Sequence, residues 1–229
     1  MLTDQKEFLS LNAGVMYPAK RAYPQCLLAA GYLAQFYGRA TEAHMVKLKR
    51  VIAYMLGTLE KDYFLRLRPP SLDIVVAADA SYAVHEDGRS HSGGCAGFGS
   101  EKAACYFIYH SSVQPTTVKS VYEGELVSAS TNVDYGIWLM QMMLQLGYGL
   151  KVITLLQDNT STIKGIEDGH GTWKRTKHIR VRYFWLKTLI DSGEMVVKWV
   201  PSKELVADIL TKPVVGVLFV SLLILLLCW

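Results

Sequence analysis

The chain has 229 residues, 51% apolar and 19% charged, with a formal charge of +4, a balance that supports a buried core and excludes an intrinsically disordered chain. Its four cysteines, Cys26, Cys95, Cys105 and Cys228, form no CxxC pair, which argues against a zinc ribbon or disulfide framework and for reduced thiols in an intracellular setting. Residues 1–70 carry ten basic against five acidic side chains and residues 71–213 fourteen against fifteen, so a basic surface beyond residue 70 requires local clustering.

In chain order, the first seventy residues read as helical. Stretches 23–37 and 41–56 carry apolar residues at three- and four-residue spacing, the second entered at Thr41 and ended by Gly57. A short strand is expected over 63–68, and Pro69-Pro70 then breaks the chain, which places a boundary there. The start, from Met1 to Ser10, is polar and charged, unlike a secretory signal.

Beyond the boundary the pattern changes. Residues 72–79, 93–99 and 104–110 read as strands, with turns at 86–88 and 100–102. A long helix is predicted over 121–146, a buried strand over 151–157, helices over 159–168 and 176–191, a fifth strand over 195–200 and a last helix over 202–211. Hairpin strands followed by strands alternating with helices imply a mixed α/β sheet covered by helices. The tail, 214–229, is sixteen residues without a charge, short of the roughly 20 that span a bilayer. A docked terminal helix is the expectation, and a membrane tail the alternative.

Four acids fall where these apolar segments start or end. Asp79 closes the run 72–79, Asp158 closes 152–158, Glu125 lies in the first turn of the long helix and Asp208 in the last helical segment. Such positions lie at the rim of a packed sheet, where side chains can be brought together. Converging carboxylates raise one another's pKa unless a cation compensates, and all-oxygen donors favour magnesium or manganese over zinc. The set His85, His91, Cys95 and His110 fits no zinc spacing, and glycines 93–99 lack the Lys-Ser/Thr of a phosphate loop. The stretch 174–187 holds six basic residues, interleaved aromatics and no acid, which suits either a phosphate-backbone surface or a solvated helix face.

Five motifs carry a resemblance to a known family: Asp79-Ala-Ser-Tyr-Ala-Val-His-Glu-Asp-Gly-Arg-Ser-His-Ser-Gly93, Tyr122-Glu-Gly-Glu-Leu-Val127, Gln157-Asp-Asn-Thr-Ser-Thr-Ile163, Arg175-Thr-Lys-His-Ile-Arg-Val-Arg-Tyr-Phe184 and Val206-Ala-Asp-Ile-Leu-Thr-Lys-Pro213. In that order they resemble the C-terminal part of copia-type LTR retrotransposon Pol polyproteins, where a reverse transcriptase runs into its ribonuclease H domain. The resemblance implies a ribonuclease H-like mixed five-stranded sheet flanked by helices over 71–213. A small mainly helical thumb or connection remnant would precede it over 1–70, and an apolar tail would follow over 214–229.

It also implies the chemistry. Asp79, Glu125, Asp158 and Asp208 would hold two Mg2+ or Mn2+ ions and cut the RNA strand of an RNA–DNA hybrid, with Glu123 competing with Glu125 for the second acid. Asn159, Lys174, Arg175, Lys177, Arg180 and Arg182 would grip the hybrid. The remainder of a reverse transcriptase would be a partner, and the setting a cytoplasmic virus-like particle or the nucleus. No Asp-Asp pair occurs in the sequence, so the polymerase's own metal motif is missing from it. A non-catalytic remnant with residual nucleic-acid binding is the alternative reading.

Overall fold

The computed structural model describes residues 4–59, 65, 67–149, 152–168 and 177–228. Three helices come first: α1 (Gln5–Ala19), α2 (Leu27–Ala34) and α3 (Glu42–Thr58). Strands β1 (Ile74–Ser81), β2 (His91–Ser100) and β3 (Ala103–Val113) follow, then α4 (Val121–Gln145), β4 (Ile153–Gln157), α5 (Thr160–Asp168), α6 (Lys177–Asp191) and β5 (Met195–Trp199). Two 3-10 turns, Ser202–Glu204 and Val206–Leu210, lead to the last helix, α7 (Gly216–Leu226).

The five strands form one sheet in the order β3-β2-β1-β4-β5. Hairpin connections make β1, β2 and β3 antiparallel, whereas the crossover through α4 sets β4 parallel to β1, and β5 is parallel to β4. This is the mixed five-stranded sheet flanked by helices that the resemblance implied.

Strand β1 is central and covered on both faces, which is why it reads as a continuous apolar run. Ile74, Val76 and Ala78 face α4 and α6 in a cluster with Leu126, Val133, Leu139, Tyr183 and Leu186. The alternate residues Val75 and Ala77 pack in a second cluster with Leu205, Ile209, Leu210, Leu222 and Leu226. Ala19, Tyr23, Cys26 and Leu27 join that second cluster, so the N-terminal helices share a core with the sheet. Phe8, Leu33 and Leu48 build a smaller core among α1, α2 and α3.

Glycines in β2 allow the helices to approach. A Cβ at Gly94 would overlap the Asn132 side chain of α4, and one at Gly93 would overlap Leu210 and Thr211. Their place in a paired strand accounts for the glycine-rich stretch without a phosphate-loop role.

Several expected elements come out differently. The helix expected over 23–37 is a 3-10 turn at Pro24–Cys26 followed by the eight-residue α2. Proline lacks a backbone N–H and suits the opening position of such a turn, while Gly38, at φ 78°, turns the chain beyond α2. Gly57 does not end α3, which continues to Thr58, whose hydroxyl donates to the carbonyls of Tyr54 and Met55. The helix expected over 202–211 is interrupted by Leu205, extended at φ −77° and ψ 100°. Residues 205–211 are all buried, which one side of a regular α-helix would not permit. The strand expected over 63–68 lies largely outside the described residues, and Leu65, Leu67 and Arg68 are not in a strand.

The tail forms α7, docked through Leu222, Leu223 and Leu226. Among the described residues, no helix is long and apolar enough to cross a membrane.

Candidate active site

Strand β1 continues two residues past Asp79 to Ser81, beyond the expected end at 79, and Asp79 lies near the rim of the sheet, 1% exposed. Helix α4 crosses this end because the Ser128 hydroxyl donates to the Asp79 carbonyl at 2.6 Å and the Asn132 amide reaches the Gly93 carbonyl at 3.3 Å. Glu125 lies three residues before Ser128, on the same side of the helix, and therefore faces Asp79. Glu123 serves elsewhere: its backbone N–H donates to the N-cap Ser120 hydroxyl, and its carboxylate accepts the Lys119 N–H at 2.7 Å. The helix thus uses one glutamate as part of its cap and turns the other toward the rim.

From β4, the buried Gln157 positions the next acid. Its side-chain oxygen accepts the N–H groups of Asp158 (2.8 Å) and Asn159 (3.1 Å), and its amide donates to Glu125 at 3.3 Å. Ser202 donates to Asp158 Oδ2 at 2.6 Å, and the Trp199 indole donates to the Asp158 carbonyl at 3.1 Å. One oxygen from each of Asp79, Glu125 and Asp158 lies within 4.8 Å of the other two.

Asp208 stands outside this group and is linked to Asp79 by a side chain that sequence reasoning did not single out. Lys212 Nζ lies 3.1 Å from Asp79 Oδ1 and 2.8 Å from Asp208 Oδ1. The neighbouring Thr211 hydroxyl donates to Asp79 Oδ2. Both residues belong to the Thr211-Lys-Pro213 ending, which was the available signal. The site opens into a depression of about 420 Å³ lined by Tyr82, Val121, Asn159 and Lys212 as well as the three acids.

The electrostatics follow from this crowding. Burial, then Asp79 and Asp158, push the Glu125 carboxyl up to about 9, against the pull of Gln157 and Lys212. Burial and Asp79 raise Asp208 to about 6, opposed by Lys212. Burial would lower the Lys212 ammonium, but Asp79 and Asp208 outweigh it and hold the group above its ordinary range. Repulsion unrelieved at Glu125 and an all-carboxylate donor set fit a hard divalent cation such as Mg2+ or Mn2+.

The other expected contacts are distributed unevenly. Asn159 lines the opening, but its side-chain oxygen caps α5 by accepting the N–H groups of Ser161 and Thr162, each at 3.0 Å. Arg182 turns back onto α4, donating to the Ser130 and Thr131 hydroxyls at 3.3 and 3.4 Å. Lys174 and Arg175 lie outside the described residues, as do the side chains of Lys177 and Arg180. His85 and His91 contact each other at 3.1 Å, and His91 meets the Ser111 hydroxyl at 2.8 Å.

No family model matches the chain. It is 26% identical over 220 residues to the retrovirus-related Pol polyprotein from transposon RE1 of Arabidopsis thaliana, an alignment covering 93% of this chain and 14% of that one. Against the Pol polyprotein from transposon TNT 1-94 of Nicotiana tabacum, identity is 27% over 207 residues, covering 90% and 15% respectively.

The chain is homologous to copia-type retrotransposon Pol polyproteins. It spans about a seventh of the length of these Pol relatives. Among solved structures, a ribonuclease H1 isolated from compost superposes with a TM-score of 0.46 at 11% identity, over 60% of this chain and 91% of that one. The ribonuclease H1 from the halophilic archaeon Halobacterium salinarum gives 0.40 at 16% identity, over 60% and 93%.

Proposed function

We propose that this chain is the ribonuclease H part of a copia-type Pol polyprotein, and that it hydrolyses the RNA strand of RNA–DNA hybrids with two divalent ions. The observation that carries the reading is the meeting of Asp79, Glu125 and Asp158, from β1, α4 and the end of β4, within 4.8 Å at the sheet rim. The Pol homology supports it independently. In this reading residues 1–70 are a thumb or connection segment, 71–213 the nuclease and 214–229 a docked tail.

Bound divalent metal would supply positive charge at the scissile phosphate and lower the pKa of the attacking water. Asp79, Glu125 and Asp158 would hold it, and Asp208 would contribute from the opposite side of Asp79. Gln157 and Ser202 keep Asp158 and Glu125 aimed. Asn159 caps with its oxygen and leaves its amide nitrogen for a sugar hydroxyl. The basic residues of 174–180 would follow the phosphates, giving weak sequence preference and a steep dependence on salt.

The test is cleavage of a labelled RNA–DNA hybrid by the full chain with magnesium or manganese, beside Asp158→Asn and a duplex DNA control. Cutting of the RNA strand that is lost in Asp158→Asn bears the reading out. Folded protein that cuts with neither metal overturns it in favour of a non-catalytic remnant.

A further inference from the structure

We propose that Lys212 is a tethered counter-ion occupying the cation position between Asp79 and Asp208, so that a divalent ion is held by that pair only after the lysine has swung out. The inference rests on the reading of the acidic cluster as a metal centre. It assigns Lys212 a positioning role in loading that centre.

The two bays around Asp79 differ in their occupants. On one side, Asp79, Glu125 and Asp158 gather three carboxylates, and among the described residues no basic side chain hydrogen-bonds to or pairs with Glu125 or Asp158. On the other side, the ammonium of Lys212 sits between Asp79 Oδ1 and Asp208 Oδ1 at 3.1 and 2.8 Å. Thr211 takes the remaining oxygen of Asp79. Among the described residues, a cation pairs directly with both acids of one bay, whereas in the other it pairs with Asp79 alone.

The backbone around the lysine is fixed while its side chain is free to leave. Thr211 N–H and Lys212 N–H donate to the Asp208 carbonyl at 3.2 and 2.9 Å, and Pro213 restricts the backbone of Lys212, the residue before it. The Lys212 side chain is nonetheless 41% exposed, while its partner Asp79 is 1% exposed. Rotation of a flexible four-carbon stem can carry the ammonium into solvent without moving the strand. Ion binding should therefore be asymmetric. A first ion enters the three-carboxylate bay, where Lys212 pairs with Asp79 but with neither Glu125 nor Asp158, and a second competes with a covalently attached rival at high effective concentration.

The experiment is Mn2+ titration of the full chain, with free ion read by electron paramagnetic resonance, on the wild type and on Lys212→Met and Lys212→Arg. The wild type should bind one ion and then a distinctly weaker second. Lys212→Met should tighten the second step by about tenfold or more, equivalent to ~1.4 kcal/mol, while Lys212→Arg should keep it weak. Without metal, Lys212→Met should melt below the wild type and recover with Mn2+. If Lys212→Met does not fold without metal, Lys212→Gln, neutral but still a donor, carries the same comparison. A second step unchanged or weakened in the neutral variants, with the first ion still bound, overturns the role of Lys212 alone. No Mn2+ bound by any of the proteins overturns the metal-centre reading with it.

Discussion

The Ser128 hydroxyl of α4 donates to the main-chain carbonyl of Asp79 in β1 at 2.6 Å, so one hydrogen bond ties the helix that presents Glu125 to the strand end that presents Asp79. Removing it in Ser128→Ala should cost about 1–3 kcal/mol, the usual effect of a buried hydrogen bond lost from one side. Urea unfolding measures this. Hybrid cleavage should fall as well, because Glu125 loses its registration against Asp79; unchanged cleavage would mean that packing alone holds the helix.

Gly94 of β2 packs directly against α4, where an added Cβ would overlap Asn132. Gly94→Ala should therefore destabilise the chain by roughly 1–3 kcal/mol through overpacking. In an Asn132→Ala background the same substitution should cost markedly less, since its steric partner is gone. A double-mutant cycle of unfolding free energies tests the coupling.

His91 sets a dependence on low pH. Burial, with His85 and His110 adding to it, lowers its pKa to about 4. The ring lies between His85 Nε2 and the Ser111 hydroxyl, which donates in turn to the Leu210 carbonyl at 2.7 Å. Between the ordinary histidine value near 6.5 and about 4, the unfolded chain binds the extra proton and the folded chain does not. Stability is thus full above pH 6.5 and declines as pH falls toward 4. His91→Gln should flatten that limb in thermal melts, and an unaltered slope would assign it to other groups.

Glu125 acts with the opposite sign. Its pKa is raised from 4.5 to about 9, so between those values the folded metal-free chain binds a proton that the unfolded chain releases. Its contribution is present at low pH and lost as pH rises through that window. Glu125→Gln should therefore make the metal-free chain more stable than wild type at pH 8, and abolish both hybrid cleavage and most of the stabilisation by Mg2+. Calorimetry with and without metal checks the stability outcomes, and the labelled-hybrid assay checks the loss of cleavage.

The sequence alone determined the succession of strands and helices beyond residue 70. It also placed Asp79, Glu125, Asp158 and Asp208 at segment ends, because apolar periodicity and its interruptions are local properties. The same locality explains the failures. Over 23–37 the apolar spacing looks helical, yet Pro24 opens a 3-10 turn and Gly38 ends the segment; over 205–211 burial at every position, by partners distant in sequence, makes the chain turn more tightly. The family resemblance already set Glu125 ahead of Glu123 as the second acid, and packing of α4 through Ser128 is the physical reason that Glu125 turns toward the strand. Tertiary structure alone brought Lys212 to Asp79, 133 residues away in the chain. No periodicity encodes a contact of that span, because it exists only once the sheet and the chain end have closed around the same acids.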